Sequence, residues 1–281
     1  MLWILVLPSI VFVTLIYGYP LIYAGFQSTH NGSLLNAGSF VGISNFRADL
    51  NNPVFWQSAE FTLVFCVVGV FGSWVIGLGL ALLLRKRVHA KGLFKTLLLL
   101  PWIVPVVVSS TAWNWLVATP GSPVPVMASH LGLGLLLPLD QPFQAKVLVC
   151  LFKVWLSFPF MMLMASAALA GVNNDIYEAA RVDGATGWQQ LRRITLPVIA
   201  RSTYISWILM FIFCIGDFQS IYLLTGGGPV SATSTLVVLS YLTVFNNFQT
   251  GPGIAIGFMM TVVSVVVALG LFRQIRRVQV Y

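Results

Sequence analysis

Charge is what this chain mostly lacks. Asp, Glu, Lys and Arg together make up 8% of its 281 residues, against about 25% in an ordinary soluble domain. Hydrophobic residues reach 58% and mean hydropathy is +0.91, so a soluble globular fold is excluded and an integral membrane protein is indicated. Cysteine is scarce. Cys66, Cys150 and Cys214 all sit inside apolar runs without metal-ligand spacing, and read as small buried hydrophobes rather than a disulfide scaffold. No Gly-Lys dipeptide occurs, which excludes a Walker A phosphate loop. His30, His89 and His130 are too dispersed for a metal site, and no paired acidic motif suggests a membrane transferase. The first apolar segment has no basic stretch ahead of it, so it reads as a span rather than a cleaved signal.

What remains is apolar sequence in long blocks. A helical span needs about 20 such residues, and candidates fall at 2–26, 60–84, 96–118, 147–171, 200–224 and 254–272. The runs are continuous rather than alternating, which selects helices over a closed barrel. The expected fold is therefore all-α and polytopic, with six transmembrane helices. The sequence divides into residues 1–58, a first helix with a short external loop, and 59–281, a core of five helices. Trp3, Trp56, Trp113 and Trp115 lie near span ends and read as interfacial anchors. Gly69, Gly72, Gly77 and Gly79 in the second span suggest close helix packing against a neighbouring subunit.

The net charge of +8 is a matter of topology rather than of nucleic acid. Arg85, Lys86, Arg87, Lys91 and Lys95 share one side of the membrane with Arg181, Arg192, Arg193 and Arg201 and with Arg273, Arg276 and Arg277. The other side carries only Arg47 and Lys146. This asymmetry predicts both termini in the cytoplasm. The external segments 27–58 and 119–142 are rich in turn residues, and Thr225-Gly226-Gly227-Gly228-Pro229 reads as a turn.

One cytoplasmic segment, 173–197, is patterned beyond the needs of a tether. Asn173 or Asn174 caps a helix whose first turns carry Asp175 and Glu178. Gly184 ends that helix in a left-handed conformation. Thr186-Gly187-Trp188-Gln189 is a capping box for a second helix, and Pro197 opens the next span. The chemistry alone leaves two readings open: a loop packed on its own spans, or a rigid helix–turn–helix presented to another surface through the small residues Ala179 and Ala180.

Two ionisable residues fall inside spans, where they are costly. Lys153 lies in the fourth and Asp217 in the outer half of the fifth, at similar depth. They either pair and line a polar path, or sit apart with Lys153 snorkelling and Asp217 at the interface. Helical spacing puts Lys153, Ser157 and Phe160 on one face, and Phe213 and Asp217 on another.

Glu178-Ala179-Ala180, three residues, Gly184, nine residues, Ile194-x-Leu196-Pro197 resembles the EAA loop of ABC-importer permeases. Pro101-Trp102-Ile103-Val104-Pro105, Trp155-Leu156-Ser157-Phe158-Pro159-Phe160 and the 221–229 segment are similar to the maltose-permease-like branch. That branch mostly serves carbohydrate and glycerol-3-phosphate importers. The chain departs from its maltose-specific members in its short first external loop.

The resemblance implies a type I importer transmembrane domain in a bacterial or archaeal cytoplasmic membrane. Glu178, Ala179, Ala180, Asp183 and Gly184 would form the coupling helix docked on an ATPase. Trp102, Val106, Lys153, Ser157, Phe160, Phe213, Cys214 and Asp217 would line the substrate pathway, with Trp102, Phe160, Phe213 and Asp217 touching passing solute. The implied partners are a second, distinct permease in a heterodimer, two ATPase subunits carrying the ATP and Mg that this chain does not bind, and an external solute-binding lipoprotein or periplasmic protein. The chain itself is expected to be non-catalytic. The rivals are an ion-coupled secondary transporter and a membrane-surface enzyme.

Overall fold

The computed structural model describes residues 2–33, 36, 38–85 and 89–278. Lys86 and Arg87 of the basic loop lie outside the described residues, as do the side chains of Trp3, Arg276 and Arg277. Among the described residues the chain is helical, with no strand and only two isolated bridges, His30 to Phe40 and Ser33 to Asn36.

Helix α1 (Leu2–Val13) runs through a π segment (Thr14–Gly18) into α2 (Tyr19–Ser28). No described side chain from 6 to 26 is buried, so this span meets lipid or another subunit along its membrane length. Only its far end is held, where α2 packs on the last helix and the buried Asn45 amide donates to the carbonyls of Ser28 and His30 at 2.7 and 2.9 Å. Those bonds fix α3 (Ser44–Leu50) beneath the start of α4 (Pro53–Arg85).

The third expected span is broken. α5 (Lys91–Ile103) and α6 (Val106–Val117) meet at a 90° bend. Pro105 has no N–H to continue α5 and forces Val104 out of the helical region, to φ −67° and ψ 132°. Counting that bent pair once, six segments are long and apolar enough to cross a membrane. A short α7 (Pro123–His130) occupies the segment that follows.

α8 (Pro142–Ala170) is the centre of the bundle and packs along α4. Their approach explains the glycines. A Cβ on Gly72 would lie 2.8 Å from Val154, and one on Gly77 would lie 2.6 Å from the Met162 backbone nitrogen. Gly69 faces Cys214 and Lys153 in the same way, while Gly79 meets nothing within 4 Å. The expectation that these glycines receive a partner subunit is therefore corrected: Gly69, Gly72 and Gly77 make room for this chain's own helices. Trp113 is a second correction. It packs against Phe152 and Trp155 at 5.2 and 5.5 Å instead of anchoring at the interface, while Trp56 and Trp115 are exposed as expected.

After α9 (Asn174–Val182) the chain turns at Gly184 and enters α10 (Gly187–Gln190). The second helix of the loop is not separate from the next span. A π segment (Leu191–Thr195) joins α10 to α11 (Leu196–Ile215), and the Leu196 N–H reaches back to the Leu191 carbonyl. The wider turn shifts the hydrogen-bond register just before Pro197, which has no donor of its own. α11 stops nine residues short of the expected span end at 224, because Gly216-Asp217-Phe218 leaves the helix. α12 (Gln219–Thr225) then ends at Gly226, left-handed at φ 63°, in the turn expected there. α13 (Leu236–Tyr241) and a π segment (Leu242–Asn246) lead to α14 (Thr250–Val278). Phe65, Cys66, Phe152, Met161, Met210 and Cys214 form the main core where α4, α8 and α11 meet.

Candidate functional site

Two regions carry the polar chemistry, one within the bundle and one at its end. Within the bundle, Lys153 Nζ on α8 donates to Asp217 Oδ2 at 2.6 Å. The side chains are 7% and 12% exposed, and this is the one ion pair among the described residues. Of the two readings the sequence left open, the structure takes the paired one. Asp217 sits past the end of α11, so its expected helical face shared with Phe213 is corrected; the break at Gly216 is what turns the carboxylate toward α8. Its second oxygen, Oδ1, accepts from the Ser220 N–H at 3.1 Å and fastens the start of α12. Both charges are thus out of water, paired and tied to backbone. Removing either partner from such a pair costs about 3–5 kcal/mol, because the other charge is left buried alone.

A cavity of about 300 Å³ opens beside this pair, lined by Trp102, Val106, Lys153, Ser157, Phe213 and Asp217 among others. The bend before Pro105 is what brings Trp102 and Val106 to it. Of the expected pathway residues Phe160 and Cys214 do not line the cavity. Phe160 backs its wall, stacked 5.2 Å from Trp102 and edge-on to Phe213 at 5.8 Å. Cys214 is 1% exposed and packs against Gly69, behind the cavity wall. Its place one residue after Phe213 turns it toward α4. Pro101, Leu156 and Met210 also line the cavity; apolar and unmarked, they gave no signal in the sequence beyond their proximity to the motifs. An ion pair beside two or three flat rings offers hydrogen bonds to hydroxyls and apolar faces to C–H groups.

At the end of the bundle, α9 is capped as the sequence required. Asn173 Oδ1 accepts from Asp175 N–H at 3.0 Å, and Thr186 and Gln189 complete the capping box at 2.7 and 3.3 Å. Gly184 is left-handed at φ 78°. Glu178, Ala179, Asp183 and Gly184 are exposed and Ala180 is half-buried. Beside them Ile176, Val182 and Trp188 are 45%, 88% and 67% exposed among the described residues, an unusual apolar set for a polar loop.

The opposite face of α9 is locked down by residues the sequence did not single out for this role. Tyr177 is buried, its hydroxyl 3.0 Å from the Thr195 hydroxyl in the π segment. The Arg85 guanidinium lies 4.4 Å over the Tyr177 ring and donates to Asn174 Oδ1 at 2.6 Å. Arg181 Nε donates to the Tyr177 carbonyl at 3.3 Å. The end of α4, the loop helix and the root of α11 are thereby stapled together. The hint was present in Tyr177, a large apolar ring one residue before Glu178 in an otherwise polar helix.

Comparison with known proteins concerns the chain as a whole. Residues 73–280 match the family described as binding-protein-dependent transport system inner membrane component. The chain is 30% identical over 258 residues to the trehalose/maltose transport system permease protein MalF of Thermococcus litoralis, covering 92% of this chain and 87% of that one. It is 32% identical to the trehalose transport system permease protein SugA of Mycobacterium tuberculosis over 91% of this chain and 82% of the relative. A bacterial alginate ABC transporter, solved with a periplasmic protein carrying an alginate pentasaccharide, superposes with a TM-score of 0.85 at 22% identity, covering 99% of this chain and 94% of that one.

Proposed function

The chain belongs to the family of inner membrane components of binding-protein-dependent transport systems, and we propose that it is the permease subunit of an ATP-driven importer for a sugar or sugar-like solute. The observation that carries this reading is the rigidly braced loop 174–184, whose exposed apolar residues suit a docking ATPase. Carbohydrate is supported by the relatives, which are named for trehalose and maltose, and by the ion pair and stacked rings of the central cavity.

In the proposed orientation both termini and the loop are cytoplasmic and the cavity opens in turn to either side. The partners are a second permease, two ATPase subunits that hold ATP and Mg, and an external binding protein that delivers the solute. Closure of the ATPases would move α9. The brace through Tyr177, Thr195 and Arg85 would carry that motion into the root of α11, a helix that lines the cavity, and into the end of α4, which packs on α8 and α11 behind it. Coupling of this kind requires the two cavity states to hold the docked loop with different free energy. Trp102, Phe160, Phe213 and Asp217 would meet the solute, with Lys153 holding Asp217 in place through the ion pair.

The test is uptake of labelled trehalose or maltose by proteoliposomes holding the whole assembly. Import that requires ATP and the binding protein is expected. Import by this chain alone, driven by an ion gradient, would place it among secondary transporters instead.

A further inference from the structure

At the end of the bundle opposite the coupling loop, where α3 meets the first turns of α4 and α14, the structure holds a second polar enclosure. Asp49, in the last turn of α3, is 7% exposed, yet its Oδ2 has no hydrogen-bond partner. Asp49 also has no ion-pair partner among the described residues. A buried polar atom left this way is costly unless something else supplies the bond. Burial pushes the Asp49 carboxyl up to about 7, the mark of an acid that has lost water without gaining a partner.

Asp49 borders a cleft of about 400 Å³, whose other polar residues are Asn52, Ser231, Thr243, Asn246, Asn247 and Gln249. That volume lies in the range of small-molecule sites. Phe55 and Ile256 supply an apolar wall. At the rim, Ser231 and Phe248 are held at φ 59° and 57°, a conformation that non-glycine residues keep only where the surroundings enforce it. Asn52 Oδ1 already accepts from the Val54 N–H at 3.0 Å, and Thr243 donates to the Leu239 carbonyl at 2.8 Å. The cleft shares no lining residue with the central cavity.

The donor set decides the ligand class. Carboxamides and a hydroxyl both donate and accept, as does a carboxyl raised to about 7. No cluster of three or more His, Cys, Asp or Glu side chains exists among the described residues. No basic side chain lines the cleft to meet an anion. A neutral polyol matches every group, with its C–H surface on Phe55.

We propose that this cleft is a binding site for an uncharged polyhydroxyl ring, with Asp49 accepting hydrogen bonds from its hydroxyls. The site would be external in the orientation given above, and it extends the carbohydrate reading to a second place on the chain.

The test is saturation-transfer NMR on the complete importer in lipid nanodiscs without its binding protein, using trehalose, maltose and, as an anionic control, glucose 6-phosphate. Transfer to a neutral disaccharide is expected. It should fall roughly tenfold in Asp49→Leu and in Asn246→Ala, the second at an exposed position that spares the fold, as expected for loss of a hydrogen bond to the ligand. Absence of transfer to both disaccharides, transfer unchanged by Asp49→Leu and Asn246→Ala, or equal transfer to glucose 6-phosphate would each overturn the proposal. ATP-driven sugar uptake is read separately on the same preparation, so a failure of the importer reading is distinguishable from a failure of this site.

Discussion

The guanidinium of Arg85 lies 4.4 Å over the ring of Tyr177 while the hydroxyl of that ring meets Thr195 at 3.0 Å. One side chain on the loop helix is therefore gripped from both flanking spans. Tyr177→Phe removes the hydroxyl contact and keeps the ring. It should cost about 1 kcal/mol and lower sugar imported per ATP hydrolysed. Arg85→Ala should lower that ratio further, since the stacking contact and the bond to Asn174 go together. A transport-to-hydrolysis ratio equal to wild type in both variants would show that the brace carries no motion.

The ion pair makes a double-mutant cycle informative. Lys153→Met or Asp217→Leu alone should destabilise the detergent-solubilised protein by about 3–5 kcal/mol. The double variant should recover most of that loss, because no buried charge is left unmatched. Thermal unfolding of the four proteins measures it. Simple additivity would mean that the two groups do not interact.

Asp49 gives stability a pH dependence of defined sign. Its carboxyl is raised from 3.8 to about 7 by burial, so the folded chain keeps a proton that the unfolded chain gives up. Stability is full below 3.8, falls as pH rises toward about 7, and is level above. The Asp49→Asn variant should not show this fall. Melting temperatures of the two proteins across that window, in the absence of sugar, check it; parallel curves would contradict it.

Gly77 and Gly79 form a matched pair on α4. A Cβ at Gly77 would lie 2.6 Å from the Met162 backbone nitrogen, whereas one at Gly79 meets nothing within 4 Å. Gly77→Ala should destabilise by about 1–3 kcal/mol, as overpacking does. Gly79→Ala should be neutral or stabilising. Thermal unfolding of the two variants separates them.

The sequence made the spans legible because apolar length is a strong signal, and it made the 173–197 loop legible because caps and a left-handed glycine leave fixed residue types. Breaks were harder. Pro101 and Pro105 were visible, but tolerance of proline in membrane helices left the 90° bend undetermined. The exit of the chain at Gly216 was hidden inside an apolar run, and with it the true position of Asp217. Periodicity placed Lys153 and Ser157 on one face correctly since α8 is continuous. The family resemblance put Cys214 in the pathway, whereas the structure turns it toward α4, because the direction of a side chain on α11 depends on where α4 packs. The brace around Tyr177 joins residues 85, 177 and 195, which no local pattern relates. The Asp49 cleft is likewise assembled from segments nearly 200 residues apart.

The central claim is that the 174–184 loop receives the ATPase and drives the cavity. Ala179→Arg tests it most directly, because Ala179 is exposed. In proteoliposomes with all partners present, the account predicts that ATP-driven sugar uptake collapses while the variant melts at the wild-type temperature and still assembles with the second permease. Wild-type uptake by Ala179→Arg would contradict it.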